Sequence, residues 1–113
     1  MKLRDISSSN LREIIEIVAH IEELDADGIP VDVEKTILTV RARVDVPSLK
    51  RQETLKALGV SVEKSLMFIF RYLQGFDSEV HKIKYKNRLY EVKGIENVEE
   101  RDLYLNVVGE IKD

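Results

Sequence analysis

Two histidines, His20 and His81, and a scatter of carboxylates are the only groups in this 113-residue chain from which acid–base or metal chemistry could be built. Neither histidine has a partner at ligand spacing on a helix. His20 and Glu22 would share one face of a strand, as many ordinary pairs do, and a histidine on an amphipathic strand is more often a surface or packing residue than a base. The run Asp25-Ala26-Asp27-Gly28-Ile29-Pro30 invites a calcium-loop reading. It fails the test of spacing: an EF-hand loop needs glycine sixth and glutamate twelfth, whereas Gly28 is fourth from Asp25 and Thr36 is twelfth. The absence of cysteine excludes disulfides, zinc ribbons and thiol catalysis. The five glycines are all isolated, so no phosphate-cradling loop occurs, and Ser7-Ser8-Ser9 lacks the context of a nucleophile elbow. The expectation is a chain with no catalytic residue, no cofactor and no metal site.

The chemistry that remains is electrostatic. From Lys82 to Lys93 the chain carries Lys82, Lys84, Lys86, Arg88 and Lys93 against a single acid, Glu91. From residue 13 to residue 34 it carries eight acids, Glu22, Glu23, Asp25 and Asp27 among them, and no lysine or arginine. This segregation hides behind a net charge of −3. It suits a nucleic-acid surface on one side or head-to-tail association of identical subunits. The plain alternative is solvated strand faces that happen to differ. Tyr85 and Tyr90 among the lysines resemble a stacking platform for single-stranded nucleic acid. The predicted register argues against it, because it places the tyrosines on the face opposite Lys82, Lys84 and Lys93. A pI near 5.5 also gives weak attraction to phosphate.

The element that must position these groups is a hairpin spanning Glu79 to Val98. With Lys86-Asn87 as a two-residue loop, Tyr85 faces Arg88, Ile83 faces Tyr90 and His81 faces Val92. One face then carries His81, Ile83, Tyr85, Arg88, Tyr90 and Val92; the other carries Lys82, Lys84, Leu89, Glu91 and Lys93. Asn87 suits the turn because primed turns need positive φ, which asparagine tolerates.

Around the hairpin, residues 1–10 read as a loose lead-in and residues 11–113 as one domain, in line with the chain length. Residues 11–24 are ambiguous. Leu11, Ile14, Ile15, Val18 and Ile21 approximate a helical stripe behind an Asn10/Glu13 capping box, whereas Ile15, Ile17, Ala19 and Ile21 alternate as in a strand. The pattern by itself leans to helix. Thr36 to Val46 predicts a strand ended by Pro47, with Leu38, Val40, Ala42 and Val44 on one face. Ser48 then caps a short helix, Leu49–Leu58, closed by Gly59, with Leu49, Leu55 and Leu58 as its thin apolar side. Val62–Leu73 predicts a strand apolar on both faces, hence central or covered by another element. Leu103–Val108 predicts the last strand. Short antiparallel strands with one short helix point to a small barrel or sandwich. No apolar run approaches the ~18 residues of a membrane span, and no signal-peptide core opens the chain. The expectation is a protein made and kept in cytosol, with no membrane contact.

The order of these signals resembles the head-closure proteins of tailed bacteriophages, also called head-completion, stopper or head–tail joining proteins. Leu11-Arg12-Glu13-Ile14-Ile15-Glu16-Ile17 is similar to the family's first strand, and Asp25–Pro30 to its acidic turn. Thr39-Val40-Arg41-Ala42-Arg43-Val44 is similar to a further strand. Glu53, Ala57 and Phe70-Arg71-Tyr72 match the family's helix and the strand after it. Ile83–Val92 resembles the signature hairpin, with Asn87 in place of the usual turn glycine. Glu96-Asn97-Val98 and Leu103-Tyr104-Leu105 agree with its end. The resemblance spans residues 11–108 and makes the first stretch a strand.

The resemblance implies a mainly β fold: a small antiparallel SH3-like barrel with one inserted helix and long loops. It implies a non-enzymatic virion protein without cofactor that assembles as a ring below the portal and adaptor, closes the DNA exit channel and offers the tail a docking surface. Its partners would be the portal–adaptor complex, a tail-completion protein and copies of itself. It would lie near packaged DNA without reading its sequence, and in the host cytoplasm during assembly. On this reading Glu22, Glu23, Asp25 and Asp27 of one subunit meet Lys82, Lys84, Lys86, Arg88 and Lys93 of the next. Val46–Glu63 or Gln74–Val80 would supply the gate. A tail-side connector protein, or a cytosolic barrel binding RNA or protein, stands as the alternative.

Overall fold

β-Branched residues decide the ambiguous first stretch. Glu13–Leu24 is a strand, β1, in which Ile15 and Ile17 point into the core and are fully buried. The helical lean of the bare pattern is overturned because β1 finds partners on both sides. It pairs antiparallel with β2 (Pro30–Asp45) and with β4 (His81–Tyr85). After β2 come a helix, α1 (Leu49–Ala57), and β3 (Ser65–Arg71); β5 (Arg88–Asn97) and β6 (Tyr104–Ile111) complete the chain. The strands close in the order β1-β2-β3-β6-β5-β4, all neighbours antiparallel, so the sheet becomes a barrel. The computed structural model describes residues 1–112.

The barrel interior is filled by Ile15, Ile17, Ala42, Phe68, Phe70, Ile83, Tyr85, Tyr90, Val92, Leu105 and Val107. Phe68 meets Tyr90 and Tyr85 edge-on, with ring centroids 5.1 and 5.8 Å apart. Burying each large apolar side chain is worth about 1.5–3 kcal/mol. Gly109 lets β6 pass this cluster: a Cβ there would lie 2.9 Å from a Phe68 ring carbon and 3.0 Å from Tyr90 Cβ.

The double-sided apolar character of β3 is explained by what covers it. Phe68 and Phe70 face inward. Met67 packs outward with Leu55, Val60 and Val108 beneath α1, and Ile69 packs outward with Ile6 and Val98. Residues 1–10, expected as a loose lead-in, form two 3-10 turns, and the buried Ile6 between them covers Ile69. The predicted helix forms with its predicted caps. Ser48 Oγ accepts from the Arg51 amide, and beyond Gly59 the Val60 amide returns to the Leu55 carbonyl at 2.9 Å. Its apolar side is a correction. Only Leu55 is buried; Leu49 and Leu58 are 81% and 70% exposed.

Three further boundaries differ from the sequence reading. The strand expected over Val62–Leu73 is shorter: Val62–Lys64 forms a 3-10 turn and β3 runs from Ser65 to Arg71. β6 runs to Ile111, three residues past Val108. β2 begins at Pro30, six residues before Thr36, so β1 and β2 continue together well past the barrel wall. β4 stops pairing with β1 at Ala19, and β3 joins β2 only from Ala42. Residues 20–37 therefore stand out as a two-stranded arm, with the extra residue Ile37 forming a bulge at its base.

Candidate interaction surfaces

The β4–β5 hairpin has the predicted register: Tyr85 opposite Arg88, Ile83 opposite Tyr90, Lys82 opposite Glu91. Lys86 (φ 49°) and Asn87 (φ 62°) both adopt left-handed conformations, as a type I′ turn demands. Ile83, Tyr85, Tyr90 and Val92 are buried, and burial raises the Tyr90 phenol above its ordinary range. One residue of the predicted inward face lies elsewhere: Arg88 is exposed at the barrel rim. His81 keeps the inward side at the barrel's end, where it pairs with Ala19 of β1, stacks on Phe76 with centroids 5.4 Å apart, and accepts the Asp77 amide at Nδ1 (3.0 Å). His81 therefore helps to fix the 72–80 loop, and His20 sits at the base of the arm opposite Glu34, one residue past the Ala19–His81 pair. Among the described residues no group of three or more metal-ligating side chains converges.

The basic residues form a wall on the outer face of the hairpin. Lys84 lies beside Glu16 of β1. Lys86 sits over the Tyr85 ring at 5.3 Å. Lys93 binds Glu91 at 3.2 Å and holds its carboxyl below the ordinary glutamate range. A residue absent from the sequence reading joins them. The Lys112 amide donates to the Leu89 carbonyl at 2.9 Å, and the Lys112 side chain contacts Lys82, lowering the Lys82 ammonium below the usual lysine range. Ending the last strand at Val108 left Lys112 without a place on the wall. The one signal for it is Ile111, which continues the alternation of Leu103, Leu105 and Val107 past Gly109.

The four acids expected to act together are separated by the arm. Glu22 lies on its outer face opposite Asp32, and Glu23 lies on the other face, ion-paired with Lys35. Asp25 accepts the Asp27 and Ile29 amides on one oxygen, each at 2.9 Å, so its charge shapes the turn. Asp27 is exposed at the tip. At the base of the arm, Glu16 accepts from Thr36 at 3.0 Å and neighbours the basic wall of its own chain.

At the end of the barrel away from the arm, two adjoining grooves of about 440 and 320 Å³ share Lys64, Arg88 and Ile111. Leu66 and Leu89 add to their apolar floor, and Lys112 to their basic rim.

The described residues form a closed six-stranded barrel with a basic hairpin wall and a mostly acidic arm. Comparison with family models identifies this barrel: the model for phage head completion proteins matches residues 6–111. The chain belongs to the phage head completion protein family. As a member it is a structural protein of the phage head. No curated protein matches its sequence. Among solved structures, the head completion protein described here is similar to the solution structure of protein SF1141 from Shigella flexneri 2a. Identity is 16%, coverage is 94% of this chain and 96% of that one, and the TM-score is 0.69. It is also similar to a chain in the virion of a native gene transfer agent particle, at 13% identity, 90% and 96% coverage and a TM-score of 0.58. At these identities the two likenesses show the shared barrel.

Proposed function

We propose that this head completion protein assembles as a ring below the portal and adaptor, closes the DNA exit channel after packaging and presents the surface on which the tail docks. The observation that carries this reading is the family match across nearly the whole chain, on a barrel whose hairpin wall and arm differ in charge. A cyclic ring uses two different surfaces per subunit, and the basic wall and the acidic arm are two such surfaces. Their charges set orientation and association rate more than affinity. Burial of Tyr85 and Tyr90 removes the stacking rings that a nucleic-acid-binding barrel would need.

The test is the triple variant Lys82→Glu, Lys84→Glu, Arg88→Glu in a particle-producing background. The isolated variant folds, because all three groups lie on outer surfaces, and its particles fail to retain DNA or to join tails. Full genome retention and normal infectivity in the variant overturn the reading. Of the two gate candidates, Val46–Glu63 is folded around α1, and Gln74–Val80 is pinned by Phe76, which packs between Phe70 and His81. Deleting residues from the gating loop yields particles that package DNA and then leak it. Tight particles after both deletions move the gate to another protein.

A further inference from the structure

We propose that residues 20–37 are an intersubunit arm whose tip docks in the groove at the turn end of a second copy, with Leu24 and Ile29 on the apolar floor and Glu22, Asp27 and Asp32 against the basic rim. This deepens the ring reading and rests on it.

The arm is unfinished as one chain makes it. A two-stranded ribbon without a third strand or a packed face is marginally stable in water. Beyond Ala19 and before Ala42 the two strands have only each other, so among the described residues β2 keeps an open hydrogen-bonding edge from Pro30 to Arg41. Such an edge is a template for association unless it is covered. The exposed apolar side chains say the same: Leu24 is 70% exposed, Ile29 57% and Ile37 52%.

The register tells what the tip fits. Leu24 stands opposite Pro30 and Glu22 opposite Asp32, all on one face of the ribbon. That face is apolar at its end and acidic one step behind. The groove of the same chain is its complement, with Leu89, Leu66 and Ile111 below and three cations, Arg88, Lys112 and Lys64, around against the one acid Glu63. The acidic sign of the arm excludes nucleic acid as the arm's own partner. The chain cannot satisfy itself. The arm leaves the barrel where Ala19 pairs with His81, whereas the groove lies at the opposite end beside the Lys86-Asn87 turn. Different surfaces at opposite ends make a heterologous, head-to-tail contact, which yields a ring when the rotation closes.

The absence of cysteine makes the contact directly testable in the full-length protein. Leu24→Cys and Leu89→Cys are introduced into separate preparations, which are mixed and oxidised. The mixed sample forms a disulfide dimer at least tenfold above either variant alone. Adding Asp32→Lys to the first lowers the yield by a similar factor, and pairing that double variant with Leu89→Cys carrying Arg88→Glu restores it. A mixed yield equal to the single-variant controls overturns the proposal, as does a yield insensitive to the charge changes. In particles, the double variant Leu24→Cys, Leu89→Cys links copy to copy on oxidation, whereas Leu24→Cys alone does not; absence of the copy-to-copy link in the double variant overturns the proposal. Replacing residues 20–34 by Asn-Gly separates this inference from the ring reading. DNA-retaining, tail-bearing particles built from that variant sink the arm and leave the ring standing.

Discussion

The tightest constraints in this barrel sit at single positions where backbone and side chain compete for the same space. Gly109 is one. The Phe68 ring and Tyr90 occupy the volume that a methyl group would take, so Gly109→Ala is expected to destabilise the fold by about 1–3 kcal/mol, read as a lower denaturant midpoint with unchanged slope. Lys86 is a second. Its φ of 49° is a conformation that lysine adopts at a cost of roughly 1–2 kcal/mol. Changing the turn to Asn-Gly, with Lys86→Asn and Asn87→Gly, raises stability by about 1 kcal/mol in the same measurement; an unchanged midpoint denies that the turn is strained. Charge supplies the third. Lys93 lowers the Glu91 carboxyl, so the folded state holds that proton less tightly than the unfolded chain does. The pair stabilises above the ordinary glutamate range, and its contribution is lost as pH falls through the lowered value. Both groups are solvent-accessible, so the effect on stability is small and the direct readout is a carboxyl titration by carbon-13 NMR. In Lys93→Met the Glu91 titration moves up towards the ordinary range; an unmoved curve assigns the shift to other neighbours.

Elements were legible where a local rule agreed with the tertiary surroundings. The β4–β5 register followed from Asn87 and from alternation on both sides of it, and α1 followed from Ser48 and Gly59, because turns and caps are settled by residues a few positions apart. The family resemblance to head-closure proteins rested on the same hairpin, and the family match agrees with it. β1 was not legible from its pattern, because Ile14, Ile15, Val18 and Ile21 suit a helix stripe while Ile15, Ile17, Ala19 and Ile21 suit a strand, and only pairing with β2 and β4 separates the two. The arm escaped for a related reason. Ile21, Val31 and Val33 alternate as barrel-lining residues do, and nothing in the alternation reveals that the wall has ended. The basic side chains of the hairpin were legible as one surface group, apart from Lys112, whereas the acids were scattered by a turn that uses Asp25 and an ion pair that uses Glu23. The division between wall and arm predicts independent behaviour. Replacing residues 20–34 by Asn-Gly closes Ala19 onto its partner Lys35 and leaves the core side chains in place. The variant keeps the thermal midpoint within a few degrees and the near-ultraviolet signal of the buried aromatics. Collapse of either would make the arm part of the folding unit.

At the scale of the whole molecule the informative quantity is the distribution of charge and not its sum. A net charge of −3 gives weak overall steering. A basic wall on the hairpin and an acidic arm leaving the other end give the molecule a direction, and directional charge acts at encounter, before apolar groups touch. Screening then separates two kinds of assembly. The Debye length falls from about 10 Å at 0.1 M salt to about 3 Å at 1 M, which is enough to uncouple surfaces that have yet to meet. The barrel itself is held by buried rings and aliphatic side chains, and its exposed ion pairs contribute little. Raising salt between about 0.1 and 1 M should therefore slow the joining of this protein to DNA-filled heads by about tenfold or more, while its thermal midpoint moves little. The triple variant Lys82→Glu, Lys84→Glu, Arg88→Glu should join slowly at every salt concentration and lose the salt dependence. A joining rate that is flat or rises with salt would assign attachment to apolar contact, and the two charged surfaces would then be solvated faces that happen to differ in sign.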